Sequence, residues 1–173
     1  MANDGKFLNL ESGQQKQEQA IAASAGAGDA NKIPRLDATG RIDPTMMPVG
    51  IGAETKSVVS SENLSAGDLV NIYNNAGTLN VRKADGSAAG KPADGFVLAA
   101  TVSPAAATVY PEEAVITGLS GFTPGVDVFL SVVTAGLATA TVPTGAAKVA
   151  QLVGKALSAT EVIFRRGSPI TLA

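Results

Sequence analysis

The 173-residue chain contains no cysteine and no histidine. Without them there is no disulfide, no thiolate nucleophile, no Ser-His-Asp relay and no zinc site of the usual nitrogen and sulfur donors. Tryptophan is also missing, and five Phe with two Tyr are the whole aromatic supply, so any core must be assembled from small aliphatic side chains. Charge is sparse, at 16% of residues with 13 basic against 15 acidic. With a pI near 5.1 the chain has no electrostatic footprint for a nucleic acid or an anionic membrane, and neither is expected as a partner. No apolar run approaches the roughly 18 residues of a membrane span, and the opening Met-Ala-Asn-Asp-Gly-Lys lacks the charged start and apolar centre of a signal peptide. Synthesis and residence in a cytosol is the expectation.

Hydrophobic residues nevertheless make up 45% of the chain, which excludes wholesale disorder, and the length suits one domain with an appendage. Composition changes near residue 56. Thirteen of the charged residues fall at or before Lys56, leaving 15 of the 28 for the much longer remainder. The expected division is an extended N-terminal arm and linker over 1–56 and a β-barrel or sandwich body over 57–173. From Ser57 the chain becomes short Val, Thr, Ile and Ala runs separated by Gly, Pro, Asn and Asp, the pattern of many short antiparallel strands. Strands are expected near 57–62, 68–73, 78–83, 95–102, 108–110, 114–118, 127–133, 138–142, 147–157 and 160–165.

The turns between these runs have chemical causes. Asn74-Asn75-Ala76-Gly77 can supply the positive φ of a tight hairpin. Thr123-Pro124-Gly125 suits a type II turn, and 85–95 reads as a surface loop. The fold class is therefore mainly β: a compact antiparallel barrel or sandwich of small, Val-rich strands. Its expected core draws on Val97, Leu98, Val115, Ile116, Val126, Val128, Leu130, Val149, Leu152, Val153 and Ile163, with Phe96, Phe129 and Phe164 as the large fillers.

The first third is different. Pro34, Pro44 and Pro48 each remove a backbone donor and push the preceding residue toward extended geometry, which predicts no ladder of its own over 32–52. The apolar side chains here, Ile33, Leu36, Ile42, Met46, Met47, Val49 and Ile51, need a surface supplied by a folded body or another chain, as do Phe7, Leu8 and Leu10 upstream. Met46-Met47 fits either a soft docking contact or a cover for the protein's own barrel. Ser12 with Gln15 matches a capping box before the helix-forming Gln14 to Ala23, yet Ile21 is the only large apolar residue there, so helix and extended forms both remain open. Ser24 to Ala30 reads as a flexible joint. Ordering so many residues costs more than these few anchors recover, so the arm is expected to order on another chain, for instance with Lys6 to Leu10 beside a strand of another subunit.

The catalytic inventory is thin. Adjacent Glu112 and Glu113 would point to opposite faces of a strand, so they do not make a facing carboxylate pair, and solvated loop charges are the better reading. Gly26-Ala27-Gly28 and Gly50-Ile51-Gly52 lack the third glycine and the strand-to-helix context of a dinucleotide loop. Gly118-Leu119-Ser120-Gly121 misses the nucleophile-elbow spacing. Arg165-Arg166 and Arg82-Lys83 read as surface charge. No catalytic residue, cofactor or metal site is expected.

Residues 24–34 (Ser-Ala-Gly-Ala-Gly-Asp-Ala-Asn-Lys-Ile-Pro), 36–43 (Leu-Asp-Ala-Thr-Gly-Arg-Ile-Asp) and 46–52 (Met-Met-Pro-Val-Gly-Ile-Gly) resemble the linker of tailed-bacteriophage capsid decoration (cement) proteins. Leu64-Ser65-Ala66-Gly67-Asp68-Leu69-Val70-Asn71-Ile72, Gly95-Phe96-Val97-Leu98, Gly121-Phe122-Thr123-Pro124-Gly125 and Val153-Gly154-Lys155-Ala156-Leu157-Ser158 are similar to stations along the β body of the same proteins. The resemblance implies a virion protein, made in the host cytoplasm, that sits on the outer surface of the head, commonly as a homotrimer. Its partner would be a major capsid protein of the HK97-like fold, whose junctions the arm would cement. The stretch from Lys-Ile-Pro to Met-Met-Pro also resembles linkers of phage tail fibres, so a tail-fibre or receptor-binding module is the alternative. The expected interface is Phe7, Leu8, Leu10, Ile33, Leu36, Ile42, Met46, Met47, Val49 and Ile51.

Overall fold

A computed structural model describes residues 5–38, 40–47 and 55–173. The chain forms two compact units, residues 1–52 and 53–173.

The second unit is mainly β and holds a closed barrel. Its strands are β3 (Lys56–Ser60), β4 (Leu69–Asn75), β5 (Thr78–Lys83), β6 (Gly95–Val97) and β7 (Ala106–Tyr110), in the order β3-β5-β4-β6-β7. A second sheet comprises β8 (Val115–Ile116), β9 (Asp127–Leu130), β10 (Ala138–Thr139), β12 (Leu152–Ala156) and β13 (Val162–Phe164), in the order β10-β9-β12-β13-β8. The short strand β11 (Val149–Ala150) pairs with β14 (Ile170–Thr171). The barrel departs from a purely antiparallel design at one seam, where β3 runs parallel to β5 with Val59 opposite Asn80. The cause is the β4–β5 hairpin: the strand that reaches β3 is the returning arm of the hairpin, so it runs the same way as β3. That hairpin turns where the sequence places it, and Asn74 Oδ1 accepts a hydrogen bond from the Gly77 N–H at 2.7 Å.

Two cores share one wall. Val58, Leu64, Val70, Val81, Val97, Ala107 and Val109 fill the barrel interior. Leu69, Ala84, Ala93, Phe96, Ile116, Val128, Leu130, Val153, Ala156, Val162 and Phe164 fill the space between the barrel and the second sheet, with Tyr110 packed against them. Successive strand residues point to opposite faces, so Leu69 and Val70 serve different cores, as do Phe96 and Val97, and Tyr110 and Val109. The scarce aromatics concentrate at this seam: the Phe96 ring lies 5.3 Å from that of Tyr110 and 5.5 Å from that of Phe164.

The same alternation corrects part of the expected core. Phe129 and Ile163 are half-buried because their neighbours Val128, Leu130, Val162 and Phe164 take the inward positions. Val115 is half-buried beside inward Ile116. Leu98 lies past the end of β6, Val126 lies before β9, and Leu152 stands beside a register shift in β12; all three are exposed. That shift is fixed at Gly154, where a Cβ would overlap the Ile163 carbonyl oxygen.

One polar side chain ties the unit together. Gln151, between β11 and β12, has no solvent exposure. Its Oε1 accepts from the Ala93 N–H at 2.7 Å, and its Nε2 donates to the carbonyls of Ala93 at 2.8 Å and Gly167 at 3.0 Å. Three segments far apart in sequence thus meet on one amide, and buried polar groups are tolerated when satisfied in this way. Asp68 is nearly as buried and is held by the Lys83 ammonium at 3.1 Å and the Ser65 N–H at 2.8 Å.

The first unit is a small assembly of turns and one hairpin. β1 (Lys6–Glu11) pairs antiparallel with β2 (Gln14–Gln19), from Lys6 opposite Gln19 to Glu11 opposite Gln14. Between them Ser12 and Gly13 have φ of 53° and 77°, the tight hairpin geometry in which both central residues take positive φ. The Ser12–Gln15 spacing therefore marks a turn and not a helix cap, and Gln14–Gln19 is extended. Short 3-10 turns cover Ala27–Asp29 and Pro44–Met46, so the 24–30 stretch has a defined turn where a flexible joint was expected.

Replacing Gln151 with Leu keeps the volume but leaves the Ala93 N–H and two carbonyls unpaired in the core. The expected loss is about 3 kcal/mol or more, read from the midpoint of a guanidinium titration. A loss below about 1 kcal/mol would show that the amide does not staple the unit.

Candidate interaction surface

The described residues of the first unit are held mainly by hydrogen bonds. Ala20 is its one buried hydrophobic residue among those described. As expected, the described residues of 32–52 form no strand, and Pro34 takes part in a single isolated bridge to Ile21, with the Ile21 N–H donating to the Ile33 carbonyl at 3.0 Å and the Arg35 N–H to the Ile21 carbonyl at 2.8 Å. The bonds run through the neighbours of the proline, so its missing N–H costs nothing.

Carboxylates close the turns. Asp37 forms a loop with Arg41: its N–H donates to the Arg41 carbonyl at 2.7 Å and its Oδ1 accepts from the Arg41 N–H at 3.0 Å. Asp29 accepts from the Ala25 N–H at 2.6 Å and pairs with the Lys32 ammonium at 2.8 Å. Asp43 accepts from the Thr45 hydroxyl at 2.6 Å and the Thr45 N–H at 2.9 Å, and the same hydroxyl oxygen accepts from the Ser24 N–H at 2.8 Å. Residues 24 and 45 are thereby joined through one threonine. The Lys32 hydrogen bond, then the Ala25 N–H, hold the Asp29 carboxyl below its ordinary pKa. The Thr45 hydroxyl and N–H do the same for Asp43.

With no core to enter, the large apolar side chains face outward. Leu8 and Leu10 are 68% and 69% exposed. They share one face of the hairpin with Lys6, opposite Gln19, Gln17 and Gln15, and all six residues are exposed. The other face holds Phe7, Asn9 and Glu18, each half-buried. Leu36 and Ile42 flank the Asp37–Arg41 loop as its two exposed shoulders, and Ile33 and Met47 are exposed as well. Met46 is half-buried. Val49 and Ile51 lie outside the described residues. The placing of Gln15, Gln17 and Gln19 on one hairpin face with Leu8 and Leu10 was not legible in the sequence. The signal for them was Ser12-Gly13 between two runs of equal length, which sets every second residue of each run on a common face.

Three of the four residues of the basic pairs, Arg82, Lys83 and Arg166, are engaged within the second unit. Arg166 Nη2 lies 2.8 Å from Asp94 Oδ1, while Asp94 Oδ2 accepts from Asn71 Nδ2 at 2.8 Å and the Ile72 N–H at 2.9 Å. Arg82 donates to Asn71 Oδ1 at 3.0 Å and its guanidinium carbon sits 4.1 Å from the centre of the Tyr73 ring. A cleft of about 500 Å³ opens beside this network, lined by Ile72, Asp94, Pro111, Glu112 and Arg166. Its Asp94 and Arg166 neutralise one another. Glu112 and Glu113 are exposed in the turn between β7 and β8, with Glu113 at φ 54°, so they are loop charges and not strand residues. Among the described residues no cluster of three or more acidic side chains could hold a metal ion.

No family model matches the chain, and neither a curated protein nor a solved structure matches it.

The carboxylate staples set a pH dependence. Asp29 and Asp43 have folded pKa values below their unfolded ones, so their contribution is complete above the unfolded value and is lost as pH falls through the folded value. Backbone amide exchange at Ala25 and Thr45, followed from about pH 6 to pH 2, is expected to lose protection only below the ordinary carboxylate range. Loss of protection in the neutral range would contradict these roles.

Proposed function

We propose that the chain is a structural virion protein that binds the outer surface of a tailed-phage capsid with an HK97-like coat and cements junctions of its major capsid protein. The observation that carries this reading is the set of large apolar side chains turned outward in the first unit: Leu8, Leu10, Ile33, Leu36, Ile42 and Met47. Ile33, Leu36, Ile42 and Met47 lie in the segment that resembles decoration-protein linkers, and Leu8 and Leu10 lie upstream on β1. The second unit, with two filled cores, serves as a stiff hub. A coat lattice under internal pressure fails where subunits separate, and a contact spanning such a junction must be released first. In a homotrimer three such contacts act together through high effective concentration. No catalytic step is part of this role.

Adding the purified chain to emptied, expanded phage shells tests it. Washed shells on a denaturing gel are expected to saturate at a level approaching coat-protein stoichiometry, and Leu36→Asp or Ile42→Asp is expected to weaken binding by about tenfold or more. Both side chains are exposed, so neither change disturbs the fold. A handful of copies per virion would favour the tail-fibre reading, and no binding to any shell would contradict the cementing role.

A further inference from the structure

Readily oxidised side chains are confined to one place in the described residues. Cysteine, histidine and tryptophan are absent, and three methionines are the only sulfur in the protein. Met1 lies outside the described residues. Met46 and Met47 are adjacent, yet the fold treats them differently. Met46 closes the 3-10 turn Pro44–Met46, its N–H donates to the Asp43 carbonyl at 3.0 Å, and its side chain is half-buried. That turn is clamped at Thr45, which bonds to the Asp43 carboxylate on one side and accepts from the Ser24 N–H on the other. Met47 follows the turn and is 41% exposed. Its side chain is open to a reagent from solvent, in a segment whose other outward side chains, Ile33, Leu36 and Ile42, are inert to mild oxidants.

We propose that Met47 is a modification site for two-electron oxidants of the peroxide class and that its sulfoxide weakens the chain's hold on its shell, an inference that rests on the capsid-binding reading. The thioether sulfur attacks one peroxide oxygen. The S–O bond forms as the O–O bond breaks, sulfur gives up two electrons, and the proton of the transferred hydroxyl passes to the departing oxygen, which leaves as water or an alcohol. Methionine suits an irregular partner surface because its stem is unbranched, apolar and adaptable. The sulfoxide keeps that stem but adds a strongly polar oxygen that accepts hydrogen bonds and donates none. Under a partner that oxygen loses its water, which disfavours the docked state and leaves the free state unaffected. Because Met46 is the more sheltered of the two, the first oxidation falls on a contact and not on the turn that holds the segment. Reduction of the sulfoxide returns the original side chain, so the effect is reversible.

Treatment of the full-length protein with dilute hydrogen peroxide tests both parts. Peptide masses are expected to show one added oxygen at Met47 ahead of Met46, and an equal or faster gain at Met46 overturns the proposal. Emptied, expanded shells then read binding, each protein being scored against its own untreated form. Treated wild type and treated Met46→Leu are expected to bind about tenfold more weakly, and enzymatic reduction of the sulfoxide is expected to restore them. Treated Met47→Leu is expected to bind as its untreated form does. Treated wild type that binds undiminished, or an equal loss in treated Met47→Leu, overturns the proposal and leaves the capsid reading standing. Untreated wild type that binds no shell defeats the capsid reading and this inference with it.

Discussion

A sheet wall buried on both faces organises the second unit. β4, β6 and β7 send Val70, Val97 and Val109 into the barrel and Leu69, Phe96 and Tyr110 toward the second sheet. A chain this poor in aromatics cannot fill one wide core, and two narrow ones divided by a common wall suit side chains the size of valine. Three of the seven rings, Phe96, Tyr110 and Phe164, meet in the core behind that wall. The same constraint accounts for Gln151: the short strands that cover the wall leave backbone groups at Ala93 and Gly167 without a ladder partner, and one buried amide satisfies them.

The first unit follows the opposite rule. It keeps its shape through backbone pairing and aspartate-closed turns, which leave large apolar side chains on the outside. Hydrogen bonds of this kind fix local geometry at little net gain in water, so the unit is poised to gain from any surface that covers Leu8, Leu10, Leu36 and Ile42.

Much of the barrel was legible in the sequence. The strand at Thr78–Lys83 and its turn from Asn74 announce themselves through period-two alternation and Asn/Gly chemistry, and the mainly β class follows from the repeated short Val-rich runs. The exposure of Ile33, Leu36 and Ile42 fits a segment, marked by Pro34 and Pro44, with too few apolar residues to bury its own. Other features depend on pairing between distant segments and leave no local trace. The parallel β3–β5 seam arises from which hairpin arm reaches β3. Gln151 looks like any polar residue until Ala93 and Gly167 come beside it. Phe129 reads as core by composition, whereas register alone decides that it faces outward. The β1–β2 hairpin was obscured because Gln-rich Gln14–Gln19 has helical propensity, which the Ser12–Gly13 turn and a partner strand override.

The central claim is that the first unit completes its structure on another chain while the barrel needs nothing. Amide exchange of the full-length protein, free and bound to emptied capsids, tests it most directly. The account predicts weak protection of residues 6–19 and 36–42 in dilute free protein and strong protection on the shell, with the exchange of β4 and β6 unchanged. Protection of 6–19 and 36–42 in dilute free protein equal to that of β4, or no gain on binding, would contradict it.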